Sequence, residues 1–378
     1  MQPILIVGSG LAGYTLLKEI RKRDGTTPVT LVTADDGVFY SKPNLSNALA
    51  AGKPAAALAG ASAEKMAADF GATVRPGTRV LAIDTVNRRV QTDQGEIGYG
   101  TLVLALGADP IPHGLSGSAA ADVLAVNDLA DYAAFRRAIE GKRRVAVLGG
   151  GLIGCEFAND LAQAGFAVDV VHLGDWPLER LVPREAGERL AESLAALGVS
   201  WHFGRSAKSI EPDAGGYRVA LDDGGSIVAE VVLSAIGLRP RVQLADAAGL
   251  EVGRGIRTNR LLETSAADVY ALGDCAEVEG VNLPFVQPLL VQARALAASL
   301  TGTPTAVVYP AMPVMVKTPA QPVAVLPPRP GVAGGWQVDC GEGGICALHL
   351  GEAGEMQGFV LTGSETGRRT TLLKQLAA

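Results

Sequence analysis

Residues 4–23 read ILIVGSGLAGYTLLKEIRKR: four apolar residues, then Gly8-Ser9-Gly10-Leu11-Ala12-Gly13, then a run of helical periodicity from Tyr14 to Arg23. A short apolar run without polar alternation predicts a buried strand. The three glycines have separate roles in a strand-to-helix turn. Gly8 permits the tight bend, Gly10 lets the main chain approach a pyrophosphate, and Gly13 lets the helix pack closely on the strand. The free N–H groups opening the helix, with its dipole behind them, favour an anion there. Val29-Thr30-Leu31-Val32-Thr33 predicts the next strand. The acid that reads ribose hydroxyls at the end of such a strand is displaced here, because Thr33-Ala34 come first and Asp35-Asp36 follow. Alone, this fingerprint does not separate a nucleotide site from an ordinary glycine turn.

About 140 residues further on the pattern returns. Arg144 to Leu148 lead into Gly149-Gly150-Gly151-Leu152-Ile153-Gly154, a helix from Cys155 to Gln163, and a strand from Ala167 to Val171 that ends at His172. Two complete units imply two dinucleotide-binding domains. Leu102 to Leu106 with Gly107-Ala108-Asp109-Pro110, and Val231 to Ile236 with Gly237-Leu238-Arg239-Pro240, are apolar strands broken by Gly and Pro on either side of the second unit. Such exits suit a chain crossing between domains. Val269-Tyr270-Ala271-Leu272-Gly273-Asp274 then sets an acid at a strand end. A cofactor contact is favoured for it over a helix cap. From about Pro310 the composition shifts, with Pro313, Pro319, Pro322, Pro327, Pro328 and Pro330, before strand-like pieces and a short helix ending at Ala378. The fold expected is α/β: two Rossmann-like dinucleotide-binding domains, the second (111–236) inserted in the first (1–110 and 237–309), plus a small α+β C-terminal domain (310–378).

Composition bounds the function classes. With 48% hydrophobic and 19% charged residues the chain can bury large cores, which excludes intrinsic disorder. A net charge of −6 gives no general attraction to nucleic acid. The basic runs Lys142-Arg143-Arg144 and Arg368-Arg369 read as solvated faces or helix ends. No apolar run reaches the roughly 18 residues of a membrane span. The opening lacks a basic n-region and runs into the glycine turn, so it reads as a buried strand rather than a signal peptide. Cys155, Cys275, Cys340 and Cys346 form no C-x-x-C, and His113, His172, His202 and His349 are scattered, so no metal site is expected. The cysteines read as small buried hydrophobes, which fits a reducing cytoplasm.

The two glycine units, the two Gly–Pro exits and Tyr270-Ala271-Leu272-Gly273-Asp274-Cys275 resemble, over nearly the whole chain, the FAD- and NAD(P)H-dependent flavoprotein reductases of glutathione-reductase-like fold. Within that family, Thr33 to Asp36, Tyr40 to Ser46, Gly151 to Leu161 and Val316-Lys317-Thr318-Pro319 are most similar to rubredoxin reductases, close relatives of the flavorubredoxin reductases. The resemblance implies that Gly8, Ser9, Gly10, Leu11, Ala12 and Gly13, with Thr33 and Ala34, hold the FAD adenosine and pyrophosphate. It implies that Asp274 binds the ribityl and pyrophosphate region, and that Val80 and Val286 touch FAD through main chain. Lys42 and Lys317 would lie near the flavin ring, and Gly149, Gly151 and Gly154 would take NADH. His172 fills the acid position of the second unit and no arginine follows it immediately, which favours NADH over NADPH.

The residues themselves suggest one pair. If Lys42 is covered by flavin, its ammonium needs a counter-charge, because an unpaired buried ion costs several kcal/mol. Glu156, read as lying in the first turn of an apolar helix, is the expected supplier; the plainer alternatives are a solvated lysine and an acid favoured by the helix dipole. The loop from Asp36 to Leu49 contains no cysteine. Flavin electrons would therefore leave for dioxygen, a quinone or small oxidant, or a one-electron iron protein rather than a protein thiol. The resemblance selects rubredoxin, an acidic iron protein, with Arg239, Arg241 and Arg368-Arg369 as docking cations. A flavorubredoxin or [2Fe–2S] ferredoxin reductase, an NADH oxidase, and an NADH-sensing flavoprotein without electron output are the alternatives.

Overall fold

The computed structural model describes residues 3–329 and 331–377; Pro330 and Ala378, at the ends of the expected proline run and last helix, lie outside them. The chain divides into two compact units. One comprises the residues up to Lys42, Ala57–Asp109 and Leu238–Pro310; the other comprises Pro43–Ala56, Pro110–Gly237 and the residues from Ala311 onward.

The first unit is built on a five-stranded parallel sheet in the order Val269–Ala271, Thr101–Leu104, Ile4–Val7, Val29–Val32, Thr73–Arg75. All four residues of Ile4–Val7 are buried, as a central strand covered on both faces requires. From it the chain goes one way to Val29–Val32 and the other way to Thr101–Leu104. The order therefore reverses where Gly8 leaves the strand, which is where open α/β sheets form their crevice. The helix Leu11–Arg21 turns Tyr14, Leu16, Leu17 and Ile20 into the core and packs on the helix Val286–Leu300.

The second unit repeats the plan with a four-stranded parallel sheet in the order Val199–Phe203, Ala167–His172, Arg144–Leu148, Val231–Ser234. Three antiparallel strands, Ala207–Asp213, Gly216–Leu221 and Ser226–Ala229, follow in the same unit. The C-terminal residues form a five-stranded antiparallel sheet in the order Val314–Val316, Val323–Leu326, Met356–Thr362, Gly344–Leu350, Gly335–Gly341. One face of it, with Val316, Val325, Ile345 and Val360, shares a hydrophobic core with Val145, Phe157 and Leu190. On the other face Phe359 and Leu361 pack with Leu372 of the last helix. The stretch 43–56, expected within 1–110, packs instead with the second unit and puts Leu49 into that shared core.

Candidate functional site

Each glycine turn shows the same division of labour. A Cβ on Gly8, where φ is +115°, would stand 2.2 Å from the Ala105 carbonyl oxygen, and one on Gly13 would stand 1.9 Å from the Gly8 carbonyl oxygen. In the second turn the distances are 2.6 Å from Gly149 to the Ala235 oxygen and 1.9 Å from Gly154 to the Gly149 oxygen. Protein sterics therefore require these four. Gly10 and Gly151 are different: a Cβ on either meets nothing within 4 Å. The space in front of them fits a ligand that must come close to main chain. Both residues are the N-caps of their helices, Leu11–Arg21 and Leu152–Gln163, and neither helix has a side-chain cap or an acid in its first turn. The N–H groups at both turns thus suit the pyrophosphates of FAD and a nicotinamide dinucleotide.

The first turn is tied to its second strand by hydroxyls. Ser9 and Thr33, both buried, donate to one Asp35 carboxylate oxygen at 2.8 and 2.7 Å, and the Gly37 N–H adds a third bond at 2.9 Å. The acid displaced along the sequence is thus drawn back to the turn. Tyr14 donates to the Gly37 carbonyl, and burial first, then the charges of Asp35 and Asp36, push its hydroxyl pKa up to about 12. Val80 runs beside this strand end, where the Thr78 N–H bonds the Thr33 carbonyl, and packs on the cluster containing Val7 and Val32.

Asp274 sits in the short turn Gly273–Cys275. A Cβ on Gly273 would be 2.8 Å from that of Ala12, so this turn lies against the start of the first glycine helix. The buried Gln292 fixes it by accepting the Gly273 N–H at 2.7 Å. Burial raises the Asp274 pKa, and the Lys42 charge opposes that rise. Phe285, not Asp274, caps the helix Val286–Leu300; no side chain caps it, so Val286 offers a free main-chain end.

In the second unit the helix Leu152–Gln163 carries three buried polar side chains on one face, Glu156, Asn159 and Asp160. Glu156 accepts from the Lys317 main-chain N–H at 2.9 Å, from the Lys317 ammonium at 2.9 Å and from the Ser46 hydroxyl. Lys317 also donates to the Pro43 carbonyl. Asn159 accepts the Ala320 N–H at 3.1 Å, and Asp160 accepts those of Leu49 and Ala50 at 2.8 and 3.0 Å. Burial raises the Asp160 pKa against these hydrogen bonds.

Two expectations change here. Glu156 holds Lys317, a cation not expected as its partner, and the charge of Lys42 acts on Asp274. The helix also begins at Leu152, so Glu156 lies beyond its first turn, and its partners rather than the dipole explain its burial. Ser46, Asn159, Asp160 and Asp35 are not among the expected site residues. Three polar residues recurring at helical spacing in the otherwise apolar CEFANDLA were the available signal. Cys155, Cys275 and Cys346 are buried, and burial pushes the Cys275 thiol up to about 11 and raises that of Cys155 also. Cys340 is exposed, against the expectation of four buried cysteines. Of the docking cations, Arg241 is paired with Asp109 and Arg368 with Glu365.

Residues 2–297 match the family described as pyridine nucleotide-disulphide oxidoreductase, and residues 306–376 match the rubredoxin binding C-terminal domain. The chain belongs to the pyridine nucleotide-disulphide oxidoreductase family. It is 48% identical over 379 residues to the rubredoxin-NAD(+) reductase of Alcanivorax borkumensis, covering 100% of this chain and 99% of that one. It is 42% identical over 374 residues to the nitric oxide reductase FlRd-NAD(+) reductase of Aeromonas salmonicida, covering 99% and 96%. Among solved structures, the ferredoxin reductase for the CYP199A2 system from Rhodopseudomonas palustris superposes with a TM-score of 0.87 at 28% identity, over 95% of this chain and 91% of that one. Family membership accounts for the paired glycine turns. The segment 36–49 has no cysteine, and three of the four thiols are buried. Among the described residues no helix is long and apolar enough to cross a membrane.

Proposed function

We propose that the chain is an FAD-dependent NADH:rubredoxin oxidoreductase, and the observation that carries this reading is the rubredoxin-binding match at 306–376 on a chain with two ligand-open glycine turns. When bound, FAD supplies the conversion of a two-electron hydride donor into single electrons, which a one-iron acceptor needs. The protein's own task is binding and electrostatic tuning. In the first unit, 1–110 with 237–309, Gly8 to Gly13, Thr33, Ala34, Val80, Asp274 and Val286 hold FAD, with Lys42 setting the charge beside Asp274. In the segment 111–236, Gly149, Gly151 and Gly154 receive NADH. Glu156 neutralises Lys317 and fixes its ammonium, so a cation is kept in a defined place without an uncompensated buried charge. Residues 310–378 meet rubredoxin through a small transient interface. The absence of a cysteine pair beside the first glycine helix supports direct delivery to an iron protein, and the buried free thiols support a reducing, cytoplasmic setting.

The relative from Aeromonas salmonicida keeps flavorubredoxin as a second acceptor. The deciding experiment is anaerobic turnover of the purified yellow protein with NADH against rubredoxin, flavorubredoxin, [2Fe–2S] ferredoxin and dioxygen. Bleaching by NADH and reoxidation by rubredoxin is the expected result. Protein that neither carries nor rebinds flavin, or that prefers dioxygen or ferredoxin, overturns the reading.

A further inference from the structure

The second glycine turn has no strand-end acid, and the structure shows what stands there instead. The strand Ala167–His172 ends in an imidazole whose Nδ1 accepts the Gly150 N–H at 3.1 Å. Its proton is therefore on Nε2. That buried Nε2 has no hydrogen-bond partner of ordinary geometry. Burial lowers the His172 pKa, opposed by the charge of Glu179, so the ring is a neutral donor rather than a cation. Gly150 is glycine for this reason, since a Cβ there would stand 2.8 Å from the ring.

The loop after His172 returns to the same glycine. The Leu178 N–H donates to the Gly150 carbonyl at 2.9 Å, so Gly150 is bonded on both sides, to His172 and to Leu178. Leu178 is buried with φ at +61°, the left-handed region that a leucine enters only under strain. That strained residue immediately precedes Glu179. The Glu179 carboxylate lies in the space that a side chain on Gly174 would take, with Oε2 2.0 Å from the Cβ position. The residue before Glu179 is thus bonded to the glycine turn that opens the uncapped helix Leu152–Gln163, and the Glu179 charge acts on the His172 ring.

We propose that Glu179 replaces the missing strand-end acid: it accepts the adenosine ribose hydroxyls of NADH and, by its charge, turns away the 2′-phosphate of NADPH, with His172 as the positioning residue that ties its loop to the glycine turn. The proposal rests on the reading of this unit as the nicotinamide dinucleotide site. Arg180, exposed and next in sequence, is the residue that a 2′-phosphate would otherwise find.

The test is calorimetric titration of the flavin-containing protein with ADP-ribose and with 2′-phospho-ADP-ribose, using flavin absorbance as the check on folding. The wild type should prefer ADP-ribose. Glu179→Gln, which keeps the size and removes the charge, should shift the ratio of the two affinities toward the phosphorylated ligand by about tenfold or more, the effect of charge-assisted hydrogen bonding. Glu179→Asp should retain the preference. An unchanged ratio in Glu179→Gln, or a wild type that prefers 2′-phospho-ADP-ribose, overturns the proposal. If neither ligand binds the wild type, the dinucleotide reading of the unit fails first. If the ratio shifts but rubredoxin is not reduced, only the acceptor assignment fails.

Discussion

At the first glycine turn Ser9 and Thr33 aim their hydroxyls at Asp35; at the second, Gly150 gives its N–H to the His172 ring and its carbonyl to Leu178. The glycine spacing is the same, and the carbonyls that forbid side chains at Gly13 and Gly154 stand at the same 1.9 Å. What differs is how the neighbouring acid is held. In the first unit it is fixed by small hydroxyls three residues past the strand. In the second it comes back on a strained loop. The steric part of a dinucleotide turn is thus common to both units, while the part that selects the nucleotide is built separately in each.

That contrast can be broken at several points. The largest effect is expected from Gly13→Ala and Gly154→Ala, because neither Gly8 nor Gly149 can move its carbonyl without dismantling the turn. Gly13→Ala should purify without flavin. Gly154→Ala should stay yellow but no longer be bleached by NADH; absorbance spectra before and after NADH separate the two. If both variants lose flavin, the assignment of one nucleotide to each turn is wrong.

Next in size is Glu156→Ala, which removes the counter-charge of Lys317. Removing one partner of a buried pair costs about 3–5 kcal/mol, and the partial exposure of Lys317 places this case toward the lower end. Ser9→Ala, which removes a neutral hydroxyl from a carboxylate, should cost only about 1.5–3 kcal/mol. Urea unfolding of the two variants tests the order, and a Ser9 effect equal to that of Glu156 would contradict it.

Gly10→Ala and Gly151→Ala should leave ligand-free stability within about 1 kcal/mol, since the added methyl meets no protein atom. Nucleotide affinity should fall all the same, for FAD in the first variant and NADH in the second. Thermal melts with and without nucleotide measure both quantities. A large loss of stability without nucleotide would show that protein packing, not the ligand, requires the glycine.

The smallest effect concerns pH. Burial raises the folded pKa of Asp160 above its unfolded value, so the folded state binds the proton more tightly. Its contribution to stability therefore falls as pH rises from the ordinary aspartate range through the raised value, and the loss is complete above it. Asp160→Asn should flatten that part of the urea midpoint–pH curve. An unaltered curve would remove Asp160 as its source.

Local chemistry made the two turns legible, because a glycine that needs a positive φ or a close carbonyl is marked in the sequence itself. The same holds for the central strands Ile4–Val7 and Arg144–Leu148, where the apolar runs 4–7 and 145–148 are buried throughout. The partner of Glu156 was not legible. Lys317 lies 161 residues away along the chain, and no periodicity connects a helix to a strand that docks on it from the C-terminal sheet. The placement of 43–56 was hidden for a similar reason: Asp160 accepts two of its main-chain N–H groups and its Lys53 carbonyl accepts from Tyr132 and Arg136, and every residue has a main chain. Glu179 is hidden because the acid of a dinucleotide unit is expected at the strand end, whereas here the loop brings it back through a backbone conformation that the letters do not announce.

The helix Leu152–Gln163 begins at the glycine turn and, four to eight residues on, holds the main chain at 317 and 320 and at 49 and 50 through Glu156, Asn159 and Asp160. Each residue added to an α-helix rotates the remainder of the helix by about 100° and advances it by about 1.5 Å. One insertion or deletion between Gly151 and Glu156 would swing all three grips off their targets together while leaving every one of their letters in place. Substitution can test these contacts one at a time, but a change of length strikes them all at once. The spacing between Gly151 and Asp160 is therefore itself a functional quantity, a phase that this part of the chain must keep.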